Sequence, residues 1–201
     1  RWVVRATHSG ADRLNLLPTG PGEPRKLSIG QIEPRIVSME SARFSGDGRQ
    51  LLFPGSEPGR PGRAWLMDLA GGPPRAVTPE GFTLPILSPD AGSVAAVDPD
   101  GKLLLFAVSG GPPTEIRGAA SGDIPLEWDA SGEFLFVWDR AWPARIARLD
   151  MESGERKVWK ELTTDPVGLL YGTVSFSRDG EHYVYRVRRV LSELNVAEGL
   201  R

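Results

Sequence analysis

Four aspartates stand in short segments that carry glycine: Asp47 in FSGDGRQLLF, Asp90 in LSPDAGSVAAV, Asp129 in WDASGEFLFVW and Asp179 in FSRDGEHYVYR. Carboxylates gathered from several such segments would supply acid–base groups or ligands for a hard cation. The same residues also have a purely local use. An Asp side chain accepts a hydrogen bond from the backbone two residues on, and a following Gly takes positive φ without steric cost. Asp47-Gly48 and Asp179-Gly180 fit that pattern directly, while Asp90-Ala91-Gly92 and Asp129-Ala130-Ser131-Gly132 read as longer or shifted variants. All four are therefore expected to shape turns, not a ring of catalytic or metal-binding carboxylates.

The other chemistry-bearing residues are few. Asp98-Pro99-Asp100-Gly101 resembles the start of a calcium loop, but the twelfth position from Asp98 is Ser109 rather than Glu, so an Asp-Gly turn between strands is expected. The two histidines, His8 and His182, are the available general bases, and neither has a nucleophile in a paired pattern. With no cysteine and two distant histidines, zinc-ligand spacing is absent. The Gly-rich segments TGPGE, PGSEPG and GAASG all miss the G-x-S-x-G spacing of a nucleophile elbow. None of the four lysines, Lys26, Lys102, Lys157 and Lys160, lies in a kinase context, and the His-Arg-Asp and Asp-Phe-Gly motifs are missing. No catalytic residue, cofactor or metal ligand is assigned.

The elements that position these residues are strands. Gly and Pro, at 24 and 18 of 201 residues, demand many turns. Breakers fall every few residues, so helical periodicity is never sustained. Only VLSELNVAEGL near the end has helix-like spacing, and it too is read as a strand. The landmarks Phe44, Leu87, Trp128 and Phe176 lie 43, 41 and 48 residues apart, the length of a four-stranded propeller blade. The expected strands of the second unit are RIVSMESARF, RQLLF, RAWLMDL and RAVT. Those of the third are LPIL, SVAAV, KLLLFAV and TEIR, and those of the fourth are IPLEW, EFLFVW, ARIARLD and RKVWKEL. The first unit supplies WVVRATH, RLNLLP and PRKLS, and the fifth supplies LLYGTVSF and EHYVYRVR. Runs such as LLLFAV, apolar on both faces, suit sheets packed face to face. The expectation is one all-β domain over residues 1–201, a β-propeller of about four and a half four-stranded antiparallel blades. Approximate bounds are 1–32 (partial), 33–81, 82–122, 123–166 and 167–201 (partial).

Phe44 to Thr78, with FSGDG and AWLMDLAGGPPRAVT, resembles the TolB-like propeller repeat. The tail, RLDMESGERKVWKELTTDPVG followed by FSRDGEHYVYRVRRVLSELNVAEGLR, is similar to the end of propeller domains attached to bacterial eukaryotic-type serine/threonine kinases. That resemblance implies a recognition or interaction module on the extracytoplasmic side of a bacterial envelope, with the kinase and a membrane segment upstream. The chain starts at Arg1, which reads as cut from something longer. Two other contexts share the repeat: a propeller attached to a hydrolase or lyase, and a periplasmic TolB-type scaffold that binds other envelope proteins.

Charge and hydropathy narrow the partners. The net charge of −2 is spread along the chain, and the densest basic spot is Arg186, Arg188 and Arg189, so no footprint for nucleic acid is visible. No run reaches the ~18–20 apolar residues of a membrane-spanning helix. A protein or small-molecule ligand remains, together with self-association through open blade edges. Five of the six tryptophans sit in strand runs, where a large aromatic fills space between blades. The exception is Trp142 in the DRAWP loop, with Arg140 and Arg145 beside it, and these three are the expected recognition residues. The loop Pro54 to Gly62, PGSEPGRPG, is the longest between strands and a second candidate for partner binding.

Overall fold

A computed structural model describes residues 2–6, 14–35, 42–140, 143–162, 169–176 and 182–189 of the chain. Regular structure in these residues is entirely strand, and every pairing is antiparallel. The first sheet holds β1 (Trp2–Ala6), β2 (Leu14–Pro18) and β3 (Arg25–Lys26) in that order. The second is built from β4 (Glu33–Pro34), β5 (Arg43–Phe44), β6 (Gln50–Ser56), β7 (Arg63–Asp68) and β8 (Arg75–Ala76). The third runs β9 (Thr83–Leu87), β10 (Ser93–Val97), β11 (Leu103–Ala107), β12 (Thr114–Glu115). The fourth runs β13 (Ile124–Trp128), β14 (Phe134–Trp138), β15 (Ala144–Asp150), β16 (Arg156–Leu162). A two-stranded sheet of β17 (Leu169–Phe176) and β18 (Tyr183–Arg189) follows.

Neighbouring residues of one strand enter different cores. Leu51 and Phe53 of β6 pack with Leu14, Leu16 and Ile32, between the first and second sheets. Leu52, between them in sequence, packs with Leu87, Val94 and Phe106, between the second and third. In β10 the alternation repeats: Val94 and Ala96 face the second sheet, while Ala95 and Val97 face the fourth with Ile124, Leu135 and Val137. The strands are thus period-two elements with both faces dry, which erases the polar half of the usual alternation. The first strand of each sheet touches its neighbour's: β9 packs against β5 and β13, and β13 against β17. Sheets stacked in chain order with their first strands together are the blades of a β-propeller.

The expected strands of the third and fourth units lie where the sequence places them, although β12 stops at Glu115. Two expectations in the second unit need correction. RIVSMESARF is not one strand: β4 and β5 share one edge of β6, pairing with Ser56 and Gly55 and with Leu52 and Leu51. Residues 36–41 lie outside the described residues. Residues 35–42 stand opposite only Phe53 and Pro54 of β6, so the strand edge carries more residues than the ladder has places for. Where β4 ends, the Pro54 carbonyl accepts the Arg35 N–H at 2.8 Å, but its ring nitrogen has no hydrogen to return. Likewise the Pro54–Gly62 segment is not all loop. Pro54 and Gly55 are buried in β6, paired with Ala64 and Arg63, so the connection spans only residues 57–62. Gly55 is required there, because a Cβ would lie 2.7 Å from Ile32 Cγ2. Trp2, expected to fill space between blades, is 41% exposed on β1. VLSELNVAEGL lies outside the described residues.

Other first strands are also irregular. Leu84 and Pro85 stand opposite Ala96 alone, with Leu84 at φ +54°, and Leu126 of β13 is an extra residue beside Pro125. The β17 backbone shifts register between Tyr171 and Val174. Bulges of this kind bend a strand and sharpen its twist, and here they occur where first strands converge.

Because Leu52 and Phe53 fill separate cores, each truncation should act at its own interface. Leu52→Ala is expected to cost about 2–5 kcal/mol and Phe53→Ala about 3–5 kcal/mol in denaturant unfolding. A loss below about 1 kcal/mol at either position would contradict burial on both faces.

Candidate functional site

Antiparallel order puts the connections of each sheet alternately at two ends. In the second to fourth sheets one end carries the turns after the first and third strands. The other carries the connections β6–β7, β10–β11 and β14–β15 together with those from one sheet to the next.

At the first end the aspartates are consumed by the backbone. In the second sheet Ser45 Oγ donates to Asp47 Oδ1 at 2.6 Å, Arg49 N–H donates to the same oxygen at 3.0 Å, and Gln50 N–H donates to Ser45 Oγ at 2.9 Å. The third sheet repeats the circuit with Ser88, Asp90, Gly92 and Ser93, at 2.5, 3.0 and 2.9 Å. The fourth closes it with the residue types exchanged. Phe134 N–H donates to Asp129 Oδ1 at 2.9 Å, Glu133 N–H to Ser131 Oγ at 3.1 Å, and the Ser131 hydroxyl to the Asp129 carboxylate. None of the three is longer than the others. The left-handed position falls on Gly48, Ala91 and Gly132, at φ +72°, +59° and +77°, so in the third sheet it is Ala91 and not Gly92 that adopts it. The turns also touch one another: a Cβ on Gly46 would lie 2.6 Å from the Pro89 carbonyl oxygen. Asp179 lies outside the described residues.

These bonds set the acidity of the carboxyls. The Ser45 hydroxyl, then the Arg49 amide, hold Asp47 below its ordinary 3.8, and the Ser88 hydroxyl, then the Gly92 amide, do the same for Asp90. The Ser153 amide is the main cause of a similar lowering at Asp150. Groups lowered in the folded state contribute stability that is fully present above 3.8 and is withdrawn as pH falls through the lower folded value. Asp98 is likewise a turn residue, its Oδ1 accepting from Asp100 N–H at 2.9 Å and Lys102 N–H at 2.8 Å. Among the described residues no three His, Asp or Glu side chains gather as a metal site. His182 is exposed, and His8 lies outside the described residues.

The second end is built differently. Arg60 and Arg63 form a closed network with Glu57 and Glu80: Arg63 reaches both carboxylates, at 2.8 and 2.7 Å, and Arg60 reaches Glu80 at 2.8 Å and Glu57 at 3.6 Å. Arg63 also lies over the Trp65 ring, 5.1 Å from its centroid. This network ties the β6–β7 connection to the β8–β9 connection, and Gly81 N–H to Gly62 carbonyl at 2.8 Å adds a backbone tie. Next to it a pocket of about 160 Å³ opens between the second and third sheets, lined among others by Arg35, Pro54, Gly62, Phe82 and Thr83.

Farther round, the connection into the fourth sheet is locked by a fork. Arg156 Nη1 and Nη2 meet Asp123 Oδ2 and Oδ1 at 2.5 and 3.0 Å, and Ala120 N–H donates to the same carboxylate at 2.7 Å, with Asp123 fully buried. Nearer the turn end, Arg43 on β5, two residues before Ser45, reaches past the third sheet to Glu127 on β13, two before Asp129, Nη1 to Oε2 at 2.5 Å, and donates to the Leu126 carbonyl at 3.0 Å. Two of the sequence-predicted recognition residues fall at the second end. Arg140 is exposed with φ +56°, and Arg145, also exposed, pairs with Asp139 at 3.1 Å. Trp142 lies outside the described residues. Sequence reasoning missed Arg35, Arg63 and the Arg43–Glu127 pair. The one available signal was a charge inside an otherwise apolar first strand, as in IPLEW.

No protein-family model matches the chain and no curated protein matches it. Solved structures do. TolB from Acinetobacter baumannii aligns with a TM-score of 0.67 at 20% identity, over 95% of this chain and 47% of that one. An oligogalacturonate lyase from Vibrio parahaemolyticus aligns at 0.50 and 16%, over 79% and 46%. A prolyl endopeptidase aligns at 0.51 and 14%, over 74% and 26%. The likeness is one of fold: the chain is an all-β, TolB-like β-propeller arrangement, and it spans less than half the length of each of these three proteins.

Two outcomes are expected at the turn end. In a carboxyl NMR titration Asp90 should protonate below 3.8, and Ser88→Ala should move its midpoint up toward that value; an unmoved midpoint would remove the hydroxyl as the cause. The paired exchange Asp129→Ser with Ser131→Asp should leave the thermal unfolding temperature of the parent intact, whereas Asp129→Ala alone lowers it. A double variant as unstable as the single one would show that the circuit does not tolerate exchange.

Proposed function

We propose that the chain is a non-catalytic recognition module whose contact surface is the second end of the sheets. In this reading it is the extracytoplasmic sensor or scaffold portion of a longer bacterial protein, such as a receptor-type serine/threonine kinase. The observation that supports it most is the division of labour between the ends. Carboxylates at the turn end are spent on their own backbone, whereas the other end presents charged side chains on connections held rigid by the Arg60, Arg63, Glu57 and Glu80 network. Recognition residues on connections above a stiff scaffold are how repeat folds commonly bind. Arg140 and Arg145 belong to this surface, with Trp142 between them in sequence as the third candidate contact, and the partner is a protein or a small molecule rather than nucleic acid.

A second reading, the propeller of a hydrolase or lyase, draws on the fold likeness to the lyase and the endopeptidase. The two part on the rest of the polypeptide: a kinase and membrane segment upstream favour the first, a hydrolase domain downstream the second.

The test is capture from a bacterial envelope extract on the immobilised chain. Trp142→Ala, or Arg140→Glu with Arg145→Glu, should reduce capture of a given protein by about tenfold or more, a loss of roughly 1.4 kcal/mol. Arg49→Glu with Glu152→Lys at the turn end should leave it unchanged. Equal losses at both ends, or ATP hydrolysis by the purified chain, would overturn the proposal.

A further inference from the structure

We infer that the pocket between the second and third sheets is a carboxylate-binding site, sized for one acidic side chain or one chain terminus of a partner. The inference rests on the recognition reading above and deepens it. At about 160 Å³ the pocket is well below the ~300–1,000 Å³ of sites that hold drug-sized ligands or cofactors, so its occupant is a single side chain or residue.

Its polarity is one-sided. Three backbone acceptors around it are already used: Pro54 carbonyl takes the Arg35 N–H, Gly55 carbonyl the Trp65 indole N–H at 3.1 Å, and Gly62 carbonyl the Gly81 N–H. Among the side chains, Arg35 lines the pocket and is exposed, with no carboxylate of the described residues paired to its guanidinium, and Thr83 lines it too. Arg63 also lines the pocket, but Glu57 and Glu80 already match its charge. Arg60 shares those two carboxylates, so Arg35 is the arginine of the lining with no carboxylate of the described residues against it. A guanidinium takes a carboxylate in bidentate fashion.

The Arg35 side chain rests across residue 62: a Cβ built on Gly62 would be in van der Waals contact with it, 3.4 Å from Nη1 and 3.5 Å from Cδ. Beneath it Phe82, Pro54 and Pro61 supply apolar walls for the carbon chain carrying the carboxylate.

The test is an amide NMR titration of the full chain with three probes: N-acetyl-L-glutamate α-amide for an acidic side chain, N-acetyl-L-leucine for a chain terminus, and N-acetyl-L-glutamine α-amide as neutral control. At least one carboxylate probe should produce saturable shifts at the amides of Gly55, Gly62, Gly81 and Thr83, and the neutral control should not. Arg35→Gln should weaken binding by about tenfold with an unchanged unfolding temperature, and Arg35→Lys by less, since charge is kept but the fork is lost. Whichever carboxylate shifts the amides identifies the source. Absence of shifts with both, equal shifts with the control, or undiminished binding to Arg35→Gln would overturn the inference. Such a failure leaves partner capture at Arg140, Arg145 and Trp142 untouched, whereas loss of that capture with an intact titration would remove the wider reading alone.

Discussion

The structure depends on one constraint: inner strands such as β6, β10 and β14 are dry on both faces, so no sheet can satisfy its own apolar surface. Leu52 and Phe53 are adjacent in β6 and both fully buried, yet they belong to cores on opposite sides of the sheet. Each sheet must therefore have a neighbour on either face, and stacking in chain order is the arrangement that supplies one with short connections. That packing occupies the faces of the inner strands and leaves the two ends of the sheets and their outer strands for chemistry or contact. It also explains why the search for a catalytic cluster inside the repeat finds turns: an aspartate there is needed by the backbone next to it.

A second consequence appears where first strands crowd together. Pro54 opposite the gap in the second sheet, Pro85 beside the Leu84 bulge and Pro125 beside Leu126 all interrupt ladders at that place. Each removes a donor and lets the chain bend where straight strands would collide. Charged residues then join the sheets. Arg43 reaches Glu127 over the third sheet, and Asp123, buried and forked to Arg156, pins the crossing into the fourth.

How much was legible in the sequence follows from range. The turns were legible because each Asp, its Gly and the groups that donate to the carboxylate lie within six residues, and strands such as SVAAV and FLFVW begin directly after them. The break of the first strand in the second sheet was not, because it shows only in the register against the partner strand, where residues 35–42 face just two residues of β6. Reading Pro54 and Gly55 as breakers placed a loop where β6 continues, since a proline facing a gap and a glycine pressed on Ile32 and Glu33 are compatible with a buried strand. The pairs Arg43–Glu127 and Asp123–Arg156 join residues 84 and 33 positions apart, beyond any local pattern. Of the recognition residues read from the DRAWP loop, Arg140 and Arg145 stand exposed at the non-turn end, but the pocket with Arg35 had no motif to announce it.

The exchanged serine and aspartate in the fourth sheet bear on how repeats diverge. If selection maintains the hydrogen-bond circuit and not the identity of its members, duplicated units drift by compensating pairs, and a repeat can lose its motif while keeping its shape. The route between the two forms is asymmetric. An intermediate with two aspartates would set like charges on one short contact, whereas one with two serines merely trades a charged acceptor for a neutral one. Repeats of this lineage should then pass through a serine-rich form, and a family searched by its S-x-D-G signature would be undercounted at the members that took that path.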